Sequence, residues 1–209
     1  MSTPSIEFWI GYGSTYSYLS VMRIEQMAEG AGLAVEWKPF NIRALMVEKG
    51  LPAGPFVPRP EKLAYMWRDI ERRAMRRGLP YTKPLQYPVD TQQTVRVAFL
   101  AAREGWCGEF SRKVFEMNFV EGRAIGAPGH LEAALSELGV DAERIVARAH
   151  EPDIEDGLAA QTRRAIDLGM FGSPHFRVGD ELFWGDDRLE DAIEWCVTGT
   201  LLAEPAVGA

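Results

Sequence analysis

The sequence predicts an α/β domain on three observations: a β-α-β opening, an α-β-β-α ending, and a block of helical periodicity between them. A length of 209 residues lets one domain bury a core, and 46% hydrophobic against 25% charged residues is the balance of a globular chain. The expected organisation is a single domain over 1–209 with a helical insertion over 43–165.

Each element follows from local pattern. Residues 6–10 form a short apolar, aromatic run closed by Gly11 and Gly13, which reads as a buried strand ending in a tight turn. Across 15–31, Val21, Ile24, Ala28 and Ala31 recur at helical spacing, and Gly30 and Gly32 mark the stop. Leu33, Val35 and Trp37 then alternate before Pro39, giving a second strand that a short right-handed connection sets parallel to the first. Prolines crowd residues 52–60 and 78–88, two irregular loops that read as the lips of a cleft. Helices are expected over 61–77, 91–104 and 110–121; Leu131, Leu135 and Leu138, then Ile154, Leu158 and Ala165, continue the pattern. His175–Val178 and Glu181–Trp184 flank Gly179-Asp180, a two-residue hairpin loop. Leu189, Ala192, Ile193 and Cys196 give a closing amphipathic helix, with Asp187 and Glu190 spaced as its capping box.

Composition narrows the function classes. A net charge of −7 argues against nucleic acid as a partner and makes any anionic ligand depend on locally placed Lys or Arg. The first ten residues lack a basic start followed by an apolar run, so no secretory signal is visible, and no stretch reaches membrane-spanning length. Cys107 and Cys196 lie far apart and outside any C-x-x-C, which suits a reducing, cytoplasmic setting. His130, His150 and His175 show no metal-ligand spacing, and no metal is expected. Gly11-Tyr12-Gly13-Ser14-Thr15-Tyr16 follows a strand and opens a helix, but Tyr16 fills the third glycine position of a dinucleotide fingerprint, where helix and strand must pack closely.

The order of elements is that of a thioredoxin-like fold with a large helical insertion, of the DsbA type. At the start of the first helix, where such proteins carry C-x-x-C, this chain has Ser14-Thr15-Tyr16-Ser17. Residues 14–19, Gly172-Ser173-Pro174, and the run from Leu182 to Leu189 through Trp184-Gly185-Asp186-Asp187-Arg188 together resemble 2-hydroxychromene-2-carboxylate isomerases and kappa-class glutathione transferases. The resemblance covers nearly the whole chain. It implies glutathione as cofactor, with Ser14 at the sulfur, a cis Pro174 preceded by Ser173 facing the peptide, and Asp186 and Asp187 at the γ-glutamyl end. It also implies an isomerase acting on a carboxylate of aromatic compound catabolism. A transferase or peroxidase of the kappa type, and a non-catalytic glutathione- or peptide-binding module, stand as alternatives. The expected partners are a small-molecule substrate and a second copy of the chain in a homodimer. Gly11, Tyr12 and Thr15 replace the Asp-Phe and Pro usual around the family's serine, and His175 replaces the Thr common after its proline.

The residues carry a physical argument of their own. A serine hydroxyl at a helix start, among unpaired N–H groups, can donate to a thiolate without being a nucleophile, or it can simply cap the helix. Lowering a thiol pKa by one unit takes about 1.4 kcal/mol, within reach of one charge-assisted hydrogen bond. With the other two motifs present, the sulfur site is the favoured reading of Ser14. For an anionic second substrate, Arg59 and Lys62 lie by the first lip, Lys83 on the second, and Arg43 after strand two; Lys62 heads a helical face that continues with Tyr65 and Asp69. Arg72, Arg73, Arg76 and Arg77 read as an exposed flank, interrupted by Asp69 and Glu71. Arg188 reads as pairing with a nearby acid.

Overall fold

Period-two burial organises the sheet. In β1 (Ser5–Ile10), Ile6, Phe8 and Ile10 join one buried cluster while Trp9 points into another, so the strand is covered on both faces and takes a central place. The computed structural model describes residues 3–202. Its sheet runs β2-β1-β3-β4: β2 (Ala34–Pro39) is parallel to β1, β3 (His175–Val178) antiparallel to it, and β4 (Glu181–Trp184) forms the hairpin with β3. Gly179 turns that hairpin at φ 58°.

Between β1 and β2 the single expected helix is two, α1 (Thr15–Val21) and α2 (Ile24–Gly30). The break falls at Arg23, whose backbone leaves helical values at φ −128° and whose guanidinium swings to Asp186 and Glu190. An ion pair outside the helix thus overrides a continuous helical pattern.

Between β2 and β3 come seven helices: α3 (Ile42–Glu48), α4 (Pro60–Arg76), α5 (Gln92–Glu104), α6 (Cys107–Phe119), α7 (His130–Glu137), α8 (Ala142–Ala149) and α9 (Pro152–Asp167). The sequence pattern did not call for α3 or α8. Each buries only two side chains, Leu45 and Met46 in α3 and Ile145 and Ala149 in α8. Their starts rest on short-range caps instead: Asn41 accepts from the Ala44 N–H and Asp141 from the Arg144 N–H. α3 and α9 cover the Trp9 face with Phe40, Leu45, Met46, Ala165 and Met170.

The chain closes with a 3-10 turn (Asp186–Arg188) leading into α10 (Leu189–Thr198). The expected capping box is not made. Arg188 takes the cap position without a side-chain cap bond, and Glu190 turns away to pair with Arg23 and Arg77. Arg188 itself pairs with Asp191 at 2.7 Å.

Gly11 lets the end of β1 and the start of α3 touch, because a Cβ there would stand 2.6 Å from Ile42 Cβ and 3.0 Å from its Cγ2. Gly11→Ala is expected to destabilise the fold by about 1–3 kcal/mol through this overpacking. Urea unfolding measures it; an unchanged midpoint would show that α3 yields freely.

Candidate functional site

Three hydrogen bonds join the start of α1 to the loop before β3. The Gly11 N–H donates to Ser173 Oγ at 2.8 Å, Ser14 Oγ donates to the Ser173 carbonyl at 2.7 Å, and Ser17 Oγ shares a hydrogen bond with Ser173 Oγ at 2.9 Å. The Ser14 N–H closes the turn on the Gly11 carbonyl at 3.1 Å. Ser14 has the extended backbone of an N-cap, yet its side chain caps nothing. Capping therefore does not explain this hydroxyl, which is spent on Ser173 instead.

The Ser173–Pro174 peptide is cis. On its far side the Pro174 carbonyl accepts from the Gly185 N–H at 3.0 Å, so the proline loop and the turn after β4 are held together. Gly185 sits at φ 109°, and a Cβ there would stand 2.5 Å from Asp187 Oδ1. These are the features that a bound, extended peptide thiol needs: a hydroxyl by the sulfur, backbone groups beside a proline, and an acid further along.

The two aspartates of the turn part ways. Asp186 departs from the expectation of a ligand contact: its side chain is fully buried, held by Ser20 Oγ at 3.1 Å, Arg23 at 3.0 Å and Arg77 at 3.3 Å. A carboxylate so enclosed has no face to offer a ligand. Asp187, about half exposed and only 3.6 Å from an exposed Arg188 amine, is the acid that faces outward.

The sequence reading missed three contributors. Arg77, expected on an exposed flank, reaches Asp186 and Glu190; Arg23 does the same from between α1 and α2; and Ser17 completes the link to Ser173. Burial alone would raise the Glu190 carboxyl, but hydrogen bonding and charge from Arg23 outweigh it and hold the group below its ordinary range. The clue in the sequence was Arg77 at the end of its helix, adjoining the loop.

The helical block supplies the opposite wall. Thr15 Oγ1 meets Met66 Sδ at 3.3 Å and Tyr16 Oη donates to Asp69 at 3.0 Å, so α4 runs alongside α1 in the same sense. Lys62 is one turn before Met66 and therefore extends past the start of α1; its Nζ rests 5.3 Å above the Phe56 ring. Lys83 rests 5.3 Å above Trp67. Neither lysine forms an ion pair among the described residues, in contrast to most arginines of α4. Trp67, Tyr87, Asn118 and Phe119 line a cavity of about 10 Å³ against Ser14, the room of a single water. A roomier cavity, about 410 Å³, lies between α3, α5 and α9, shares no residue with this site, and has its Arg96 and Glu155 already paired at 3.1 Å. The hydrogen-bond geometry, rather than cavity size, therefore locates the site.

Neither cysteine thiol of the chain takes part in the Ser14–Ser173 network. Cys107 is buried with Tyr12 and Ser111, and burial pushes its thiol up to about 12; Cys196 is likewise raised by burial. His175, the residue after the proline, is structural: its Nδ1 bonds the Gly172 carbonyl at 3.1 Å, and it pairs with Trp9 across the strands, on the face away from α1. Burial pushes it down to about 4.

Residues 5–194 match the family model of the DSBA-like thioredoxin domain. The chain is 24% identical to a 2-hydroxychromene-2-carboxylate isomerase of Sphingobium xenophagum, over 90% of this chain and 95% of that protein. It is also 24% identical to glutathione S-transferase kappa 2 of Caenorhabditis elegans, over 97% of this chain and 93% of that one. A solved structure of 2-hydroxychromene-2-carboxylate isomerase superimposes with a TM-score of 0.80 at 25% identity, covering 91% of this chain and 94% of that one.

His175 gives the fold an acid limit. Its native pKa of about 4 lies below the ordinary 6.5, so its contribution is complete above pH 6.5 and is lost as protons bind the unfolded chain at lower pH. From pH 7 to pH 5 that loss is about 2 kcal/mol. The stability advantage of the wild type over His175→Gln should narrow by this amount in thermal or urea unfolding. A gap that stays constant with pH would mean the imidazole titrates normally in the fold.

Proposed function

Because the chain belongs to the DSBA-like thioredoxin domain family, we propose that it is a glutathione-dependent isomerase acting on an aromatic-pathway carboxylate, of the 2-hydroxychromene-2-carboxylate kind. One observation carries the proposal: at the position where disulfide-exchanging relatives place a cysteine, an uncapped Ser14 hydroxyl points to the carbonyl of Ser173, next to a cis proline. The chain has no thiol of its own there, so the sulfur must come from a bound molecule.

The residues fit glutathione by their chemistry. Glutathione, when bound, supplies a thiolate able to add reversibly to a conjugated carbon. Ser14 Oγ–H turns from the Ser173 carbonyl, its acceptor in this structure, to give that sulfur a hydrogen bond, and the proton stays on the hydroxyl throughout. Ser173 and the cis Pro174 present backbone to the peptide, and Asp187 offers a carboxylate to its ammonium. Lys62 and Lys83, free of ion pairs among the described residues, give an acidic protein a local cationic rim for a carboxylate substrate. The loop over 78–90 has to move for that substrate to reach Ser14, since the cavity there now has room for one water.

The kappa-class relative supports a second reading, transfer of glutathione to an electrophile. The fate of the cofactor separates the two: an isomerase returns glutathione unchanged, whereas a transferase consumes it. We further infer a cytoplasmic homodimer. Free Cys107 and Cys196 fit a reducing compartment, and Val197, Leu201 and Leu202 are exposed apolar side chains at the end of α10.

Ser14→Ala should fold and bind glutathione while losing one hydrogen bond to the ionised sulfur, worth about 1.5–3 kcal/mol. Turnover of a chromene acid is expected to fall roughly 10- to 100-fold, and the ultraviolet absorbance of bound thiolate to fade at neutral pH. Unchanged turnover with an unchanged thiolate signal would remove Ser14 from the mechanism.

A further inference from the structure

A closed ring of charges lies under the turn that carries Asp187. Arg23 bonds Asp186 at 3.0 Å and Glu190 at 2.8 Å; Arg77 bonds the same two carboxylates at 3.3 and 2.6 Å. Each arginine thus bridges both acids. Ser20 of α1 adds a third donor to Asp186, whose side chain is fully buried. Arg77 enters from the helical block, at the end of α4, where its own N–H is fixed on the Arg73 and Ala74 carbonyls. It is the only link of the ring that comes from outside the β-α-β and hairpin halves.

We propose that Arg77 is a positioning residue for the γ-glutamyl end of bound glutathione, acting through Asp186 to aim Asp187. The inference rests on the glutathione reading above. A buried carboxylate that loses one of its cations is left under-compensated. Its nearest relief is rotation of the 3-10 turn toward water, which carries the adjoining Asp187 away, while the Gly185 N–H stays on the Pro174 carbonyl as the pivot. The cysteinyl-glycine part of the ligand lies against Ser14 and Ser173 and is untouched by that rotation. Arg77 therefore affects one end of the peptide selectively. Arg73, one turn earlier on α4, is held by Asp69 at 2.9 Å and leaves Arg77 as the residue of this helix end that bonds Asp186.

Calorimetric titration with glutathione and with cysteinylglycine, which lacks the γ-glutamyl group, tests this. The wild type should bind glutathione more tightly. In Arg77→Met the preference should shrink about tenfold, the scale of one charge-assisted contact, with affinity for cysteinylglycine unchanged. Arg77→Lys, which keeps one charge on α4, should lose less, and it decides the matter if Arg77→Met does not fold. A preference retained in full, or equal loss of affinity for both peptides, would overturn the positioning role. A wild type that binds the two peptides alike would instead overturn the glutathione reading itself.

Discussion

Ser173 is where the two halves of the fold are tied. Its hydroxyl and carbonyl accept hydrogen bonds from Gly11 and Ser14, and its hydroxyl shares another with Ser17; these residues lie between 156 and 162 positions away in sequence. Each such bond is modest, about 0.5–1.5 kcal/mol net, but leaving any of these groups buried without a partner would cost more. The arrangement therefore has little freedom. It places the start of α1 against the cis proline, and every other feature of the site is referred to that contact: the Gly185 turn through the Pro174 carbonyl, and α4 through Thr15 and Tyr16.

With serine rather than cysteine at this contact, the scaffold keeps the geometry that serves a peptide thiol and gives up its own redox sulfur. Of the two thiols, Cys107 is silenced by burial, and partial burial raises Cys196. Cys107 is enclosed with Tyr12 and Ser111, two partners that bond one another at 2.6 Å and leave it a weak third contact. A thiol raised to about 12 is not ionised near neutral pH and cannot compete with an external one. Serine at this position leaves no thiol for disulfide exchange at the start of α1.

What the sequence made legible follows from how local each signal is. β1, the β3–β4 hairpin and the closing helix were readable because their periods and turn residues are complete within ten residues. Ser14, Ser173 and Pro174 were readable as motifs, and they do meet. The split between α1 and α2 was not readable, since Arg23 breaks the helix for a partner more than 160 residues on. The roles of Arg77 and Asp186 were hidden for the same reason: charged residues in a helix flank and a polar turn look solvated until distant chain closes over them. Glu190 had the spacing of a capping box, but two arginines outbid a single N–H for its carboxylate.

The charge ring also bears on why the turn reads Asp-Asp. Successive residues of a 3-10 turn point about 120° apart, so adjacent aspartates cannot share an environment. One is driven inward to the arginines and its neighbour is thereby held outward. A buried aspartate paired with two arginines is a poor choice for stability alone, because apolar side chains of the same volume would fill the space without desolvating charge. What ions provide and apolar packing does not is direction: a planar guanidinium that bridges two carboxylates, one nitrogen to each, accepts few orientations of either. The ring fixes the angle of the turn, and with it the position of the half-exposed Asp187.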